Sequence, residues 1–310
     1  MAADNILRTY GDTSIAEDVL DLIENLSPSE DTILRTIGKS TAYDVVHSWL
    51  VDTLPTTAAV SEQAASFSAG AATNPTRSTN LIEFITLDQS ITDQQNNVKH
   101  YGMGDRLAYE QMKMMKAFRN KLEADIIRSS LVSGASGTAA QMSGIINCIS
   151  TNKTAYASGT VWNQSLLDSL MLNAWKNGNG DPVTDIFVGG ELKARTSQFA
   201  GRSGTQFVIP ADQERLVTTT SKYTSDFGDV SIHLERYLNT NYTGTADATA
   251  RVLGIARSKF AVSYLQGSEP KLEKFARTKN ATDMRVSTNA TVESLNEKTS
   301  FFAEGFLVSA

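Results

Sequence analysis

The chain has 310 residues, 41% of them apolar and 20% charged, and its 28 basic and 34 acidic residues leave a net charge of −6. That length fits about two domains of ordinary size and that apolar share fills a core. The acidic balance argues against a chain-wide affinity for nucleic acid, which needs clustered Lys and Arg, and no apolar run approaches the roughly 18 residues of a membrane span.

The opening Met1-Ala2-Ala3-Asp4-Asn5 has neither the basic nor the apolar region of a secretory signal. A single cysteine, Cys148, excludes an intrachain disulfide and a multi-cysteine metal site. These features describe a soluble, cytosolic chain. Charge is unevenly spread: residues 1–62 hold eleven acids and three bases, and residues 251–310 hold six acids and nine bases. Either this is ordinary surface variation, or opposite-signed ends of neighbouring copies attract and guide association.

In chain order, Ser14 and Glu17 form a capping box ahead of an apolar stripe of Ile15, Val19, Leu22, Ile23 and Leu26. Ser27, Pro28 and Glu30 repeat the signal before Ile33, Leu34 and Ile37, with Gly38 as the expected C′ residue. Two short capped helices of this kind form an arm rather than a compact domain. Residues 43–52 alternate as a strand, with Tyr43, Val45, Trp49 and Val51 on one face, and a return strand is expected in 80–92, where Leu81, Ile85, Leu87 and Ile91 share a parity. Between them, 53–78 is mostly Ala, Ser, Thr and Gly, with Leu54, Val60 and Phe67 as the larger anchors. Such a stretch cannot offset its own ordering entropy, so the spacing predicts a long projection that needs a neighbour to lie on.

Residues 104–132 read as a stiff helix through Leu107, Met114, Phe118, Leu122 and Ile126, with i,i+4 pairs Arg106/Glu110, Arg119/Glu123 and Lys121/Asp125. The Ser-Gly-rich 133–144 is expected as a flexible exit. A helical stripe of Leu166, Leu167, Leu170, Met171, Ala174 and Trp175 closes at Asn177-Gly178. A buried strand at 185–189 leads into a helix at 191–199, strands follow at 230–234 and 252–256, and sheet returns at 284–292 and 301–308.

No catalytic pattern stands out. Gly38-Lys39-Ser40 resembles the end of a phosphate loop, but Ile33 occupies the position where that loop needs a glycine. Gly201-Arg202-Ser203-Gly204 is not a nucleophile elbow and reads as a surface loop. His47, His100 and His233 are too scattered for a zinc site, and His47 and His233 read as packed or surface residues of strands. Cys148 behaves as a small apolar residue, and the Met112, Met114, Met115 stretch as adaptable packing. No cofactor, metal site or catalytic residue is assigned. Lys271, Lys274, Arg277 and Lys279 cluster, with a solvated face as the default reading.

The order of several short motifs is more specific than any one of them. Asn25-Leu26-Ser27-Pro28-Ser29-Glu30 leads to Ile37-Gly38-Lys39 and His47-Ser48-Trp49; after the long helix come the 185–190 strand, Tyr223-Thr224-Ser225-Asp226-Phe227-Gly228 and the 291–298 segment. This series resembles the major capsid proteins of tailed bacteriophages over nearly the whole chain. The resemblance implies the α+β Hong Kong 97-like capsid fold, with an N-terminal arm at 1–42, an E-loop and its strands at 43–101 and a peripheral domain with its spine helix at 102–144. An axial domain at 145–265 and a peripheral sheet at 266–310 complete it. In that fold the arm and the E-loop reach onto neighbours.

It implies a virion protein, assembled in the host cytoplasm, that associates with itself into hexameric and pentameric capsomers of an icosahedral head. That head encloses double-stranded DNA without reading its sequence. Because the chain starts almost at the arm, a separate scaffolding protein is expected rather than a fused one, with portal and decoration proteins as further partners. Tyr43, Trp49, Phe67 and Arg77 are the candidate intersubunit contacts, with ordinary packing inside the hairpin as the alternative for Tyr43 and Trp49. The alternatives for the whole chain are an encapsulin-like compartment shell and a soluble enzyme whose site is assembled from scattered residues.

Overall fold

The computed structural model describes residues 31–54, 73–100, 104–202, 221–239 and 250–306. The expected helix over 14–26, the Phe67 and Val60 anchors and the last residues of the 301–308 strand therefore lie outside the described residues. In chain order the helices are α1 (Thr32–Thr36), α2 (Asp93–Asn97), α3 (Arg106–Arg128), α4 (Ile145–Cys148), α5 (Gln164–Asn177) and α6 (Gly190–Arg202). The strands are β1 (Gly38–Ala42), β2 (Val46–Val51), β3 (Thr76–Leu81), β4 (Glu83–Thr92), β5 (Lys153–Thr160), β6 (Asp185–Val188), β7 (Lys222–Ser225), β8 (Gly228–Leu234), β9 (Ala250–Ile255), β10 (Phe260–Leu265), β11 (Lys271–Lys274), β12 (Ala281–Ser294) and β13 (Phe301–Phe306).

Among the described residues, three sheets form. The first joins β1, β10, β12, β11 and β4. Its shared member is β12, 14 residues long, which pairs antiparallel with β10, β11 and β4. The second runs β5-β13-β9-β6-β8-β7, and the third is the ribbon β2–β3.

The long helix forms as its periodicity predicts, capped where the Asp105 side chain accepts from Leu107 N at 2.9 Å. Its 23 residues span about 35 Å at the helical rise. Met114, Phe118, Leu122 and Ile126 are buried against Ile85, Val262, Val286 and Val292 of the first sheet. In the second sheet side chains alternate between two cores. Phe187, Leu253, Ile255 and Phe302 join the core around α3, whereas Ile186, Val188, Val252, Phe301 and Ala303 join that of α5 and α6. This is why Ile186, Phe187 and Val188 of β6 are all buried, as an apolar run in a doubly covered sheet requires, while the fourth buried position, Asp185, is charged.

Several expectations change. The return strand of the hairpin is β3, not 80–92; β4 instead pairs with β12. The parity of Ile85, Leu87 and Ile91 is as read, but it covers α3, whereas the strand that closes the hairpin is the polar Thr76–Leu81, which has no apolar alternation to betray it. Gly38 follows the C-cap Ile37 and so stands at C′ as expected, but it lacks the left-handed conformation of a glycine cap and instead opens β1. Of the segment expected to be helical from Pro28, residues 28–30 lie outside the described residues; α1 runs over Thr32–Thr36, with Asp31 non-helical at φ −143°. Residues 133–144 are not a loose exit but a turn closed by bridges Val132–Gln141 and Ala135–Thr138, with Gly137 supplying a φ of 82°.

Of the helical stripe, Leu167, Leu170, Met171 and Ala174 are buried, whereas Trp175 is 55% exposed. Gly201 and Arg202 form the last turn of α6 rather than a loop. The division at 265/266 does not follow the sheets either. The β10 strand pairs within the first sheet, and β13 crosses into the second, between β5 and β9. That crossing is clasped by Glu297, which accepts from Ser150 N at 2.9 Å, Thr151 N at 3.0 Å and the Thr151 hydroxyl at 2.5 Å.

Candidate assembly surface

The β2–β3 ribbon is the least self-sufficient part of the described structure. Its strands pair from Val46–Leu81 to Val51–Thr76 and with little else, and a two-stranded ribbon is marginal by itself in water. Alternation divides β2 into a half-buried face of His47, Trp49 and Val51 and an exposed face of Val46, Ser48 and Leu50. Leu50 is 68% exposed, Leu54 beyond it 89% and Tyr43 before it 78%. Several large apolar side chains exposed on and beside one strand are the kind of surface that monomers rarely keep open.

The root of the ribbon is held by polar bonds. The buried Asn80 amide donates to Val292 O at 2.8 Å and Ser143 O at 3.0 Å, and its carbonyl accepts from Ser143 N at 2.8 Å. Ile82 N donates to Val45 O at 2.9 Å, which closes the strands where they leave the core. On the inner face His47 Nε2 lies 3.4 Å from Glu293 Oε2, which also accepts from the Ser40 hydroxyl at 2.8 Å. The ribbon is thus anchored at its base, with one face of β2 half-buried and the face of Val46, Ser48 and Leu50 exposed.

Of the residues singled out in the sequence, Tyr43 precedes β2 and is exposed, Trp49 is half-buried beside His47 with ring centroids 5.7 Å apart, and Arg77 is exposed on β3 opposite Leu50. Tyr43 does not share the face of Trp49, because the strand begins only at Val46. The Trp49 indole nitrogen is buried without a hydrogen-bond acceptor among the described residues. Sequence reading missed two residues that matter here: Leu50, which shares the strand at the opposite parity, and Asn80, whose long-range bonds leave no local signal.

Behind the ribbon, α3 carries buried carboxylates that the periodicity did not reveal. Glu123 is not paired with Arg119; it accepts from Ile33 N at 2.6 Å and Leu34 N at 3.0 Å, capping α1. Burial and the neighbouring Glu235 carboxylate push its pKa up to about 8. Burial, then Asp125, also raises Glu83. Arg119 instead reaches Asp31 at 3.3 Å, while Arg106–Glu110 at 2.8 Å and Lys121–Asp125 at 2.6 Å form as expected.

In the second sheet Asp185 accepts from Arg257 Nη2 and His233 Nε2, each at 2.8 Å. Burial works against its charge, but the bonds from Arg257, Thr184 and His233 outweigh burial and hold its pKa low. Burial raises the Cys148 thiol. Among the described residues no group of three or more His, Cys, Asp or Glu is placed to hold a metal, and no helix is long and apolar enough to cross a membrane.

The basic cluster is largely neutralised: Lys271 pairs with Glu273 at 2.7 Å, Lys279 with Asp283 at 3.0 Å and Arg277 with Asp93.

An anchored ribbon, a long helix packed on a sheet and a second, doubly covered sheet make up the described structure. The family model described as SU10 major capsid protein matches residues 5–306. The chain belongs to this capsid protein family. No well-characterised protein matches it by sequence.

Solved structures share the capsid protein's fold at low identity. The Mycobacterium phage Ogopogo structure superposes with a TM-score of 0.69 at 11% identity, covering 96% of this chain and 99% of that one. The capsid of an empty GTA particle gives 0.67 at 10% identity over 96% and 98%. The SrpI encapsulin of Synechococcus elongatus PCC 7942 gives 0.61 at 10% identity over 98% of both chains. The fold is therefore shared by phage capsids and an encapsulin shell, and it is the sequence family that places this capsid protein with the former.

Proposed function

We propose that the capsid protein closes into an icosahedral head of hexameric and pentameric capsomers around double-stranded DNA, with the 43–101 segment laid across the neighbouring copy. In this reading 1–42 is the arm, the α3 region is the peripheral domain with its spine, and the second sheet with α5 and α6 is the axial domain. The observation that carries it is the set of exposed apolar side chains on and beside β2, Tyr43, Val46, Leu50 and Leu54, on a two-stranded ribbon. Head-to-tail contacts of one ribbon on the next copy are heterologous and close into rings when the rotation permits. Many modest contacts then give a particle far more stable than any pair.

The net charge of −6 supports a wall that encloses DNA without holding it. A separate scaffolding protein, a portal and decoration proteins complete the partners of this reading, and assembly takes place in the host cytoplasm.

Leu50→Asp tests it. Because Leu50 is 68% exposed, the substitution leaves subunit stability within about 0.5 kcal/mol. Electron microscopy and sedimentation of the protein expressed alone should then show shells or capsomers for the natural chain and free subunits for the variant. Shells from Leu50→Asp at the natural yield would overturn the role given to the ribbon.

A further inference from the structure

The root of the ribbon meets the end of α3 over two buried acids. Glu83, the first residue of β4, and Asp125, in the last turn of α3, are each 8% exposed. Glu83 Oε2 accepts from the Ser129 hydroxyl and from Met142 N, both at 3.3 Å. Together with the bonds between Asn80 and Ser143, it ties the ribbon's return to the 129–143 turn. Asp125 Oδ1 accepts from Lys121 at 2.6 Å, but its Oδ2 is buried with no hydrogen-bond partner among the described residues.

Charge at this junction is lopsided. The cations that face the two acids, Lys121 and Arg128, both lie on α3, and the Lys121 side chain is 62% exposed. Neither the 129–144 turn nor α4 carries a charged residue, and β12 sets Ala290 opposite Glu83. Burial raises both acids above their ordinary values, and the Asp125 charge adds to the rise at Glu83. Two carboxylates so placed do not both ionise without a cost to the contacts that bury them.

We propose that Glu83 and Asp125 carry one proton between them, and that its loss frees the root of the ribbon from α3 and the 129–143 turn. A proton bound more tightly by the closed junction than by the open one favours closure at low pH. That advantage is lost as pH rises through the raised values. Glu83 is the partner that moves. Asp125 is fixed within α3, where its carbonyl accepts from Ser129 N at 2.9 Å, whereas Glu83 follows a ribbon of only two strands. The device acts within one subunit, so it stands whether or not the ribbon crosses to a neighbouring copy.

Amide exchange of β2 and β3 in the full-length chain, followed from pH 5 to 9 at one assembly state checked by sedimentation, tests the device. Asp125→Asn keeps an oxygen for Lys121 but removes one of the two charges, so its junction no longer has the proton to lose. Taking the ratio to Asp125→Asn at each pH cancels the intrinsic effect of base on exchange. Ribbon exchange in the natural chain should rise about tenfold on that ratio, as the loss of one proton over one pH unit gives.

Glu83→Gln removes the other charge while keeping an acceptor for Ser129 and Met142, and it should match Asp125→Asn. Glu235→Gln, at the other buried acid pair, should keep the natural response. If neither junction variant folds, exchange rates of unstructured peptide serve as the reference. A ratio that stays constant with pH, or a natural response that survives in Glu83→Gln, would overturn the proposal.

Discussion

At the scale of single residues, the positions that decide how this subunit is held together are polar ones placed by the fold. Asn80 is 2% exposed and uses its carbonyl and amide groups on three segments distant or adjacent in the chain. Removing its amide strands the carbonyls of Val292 and Ser143 and the amide of Ser143 in a water-poor site, and unsatisfied buried groups cost about 1–3 kcal/mol. Asn80→Ala is therefore expected to lower unfolding stability by about 2–3 kcal/mol in urea titration. It should also loosen the ribbon before the core opens, seen as faster amide exchange confined to β2 and β3. A variant as stable as the natural chain would mean that water replaces those bonds.

At the scale of elements, α1 is joined to α3 through Glu123, and that junction titrates. The ordinary value of 4.5 is raised to about 8 by burial and then by Glu235, so the folded chain binds the proton more tightly than the unfolded one. Stability should then fall as pH rises from about 4.5 toward 8 and level off above, because the slope follows the difference in bound protons. In Glu235→Gln the amide keeps an acceptor for Tyr237 N, now 3.0 Å from Glu235 Oε1, and offers a donor to Glu123 in place of a like charge. The expected result is a shallower fall of melting temperature between pH 5 and 9, with no loss at pH 8. An unchanged slope would place the titration elsewhere.

The clasp between the sheets works at the other end of the scale. Burial pushes Glu297 up, but the Thr151 hydroxyl and the amides of Thr151 and Ser150 outweigh it and hold it below its usual value. Its contribution is present at neutral pH and is lost as pH falls through the acid range.

For the whole molecule, charge and shape point the same way. The cluster of Lys271, Arg277 and Lys279 is tied up with Glu273, Asp93 and Asp283, so the chain's net acidity is not offset by an open basic face there. Purified shells should therefore bind duplex DNA only weakly at physiological salt in a gel-shift or filter assay. Tight binding with a steep salt slope would show several phosphate contacts and contradict the reading of a non-adhesive wall.

Helical periodicity in residues 106–128, the apolar run at 186–188 and the alternation in 85–91 are legible in one dimension, because each element's own buried face writes its period into neighbouring residues. Motif order along the chain likewise carried the capsid family. Which strand closes the ribbon, where β13 pairs, and that Glu123 caps α1 rather than pairing with Arg119 were decided only by contacts between residues dozens to hundreds of positions apart. A polar strand such as Thr76–Leu81 has no hydrophobic period, and a long-range hydrogen bond leaves no pattern in adjacent residues, so three-dimensional packing alone selects among the partners that local chemistry permits.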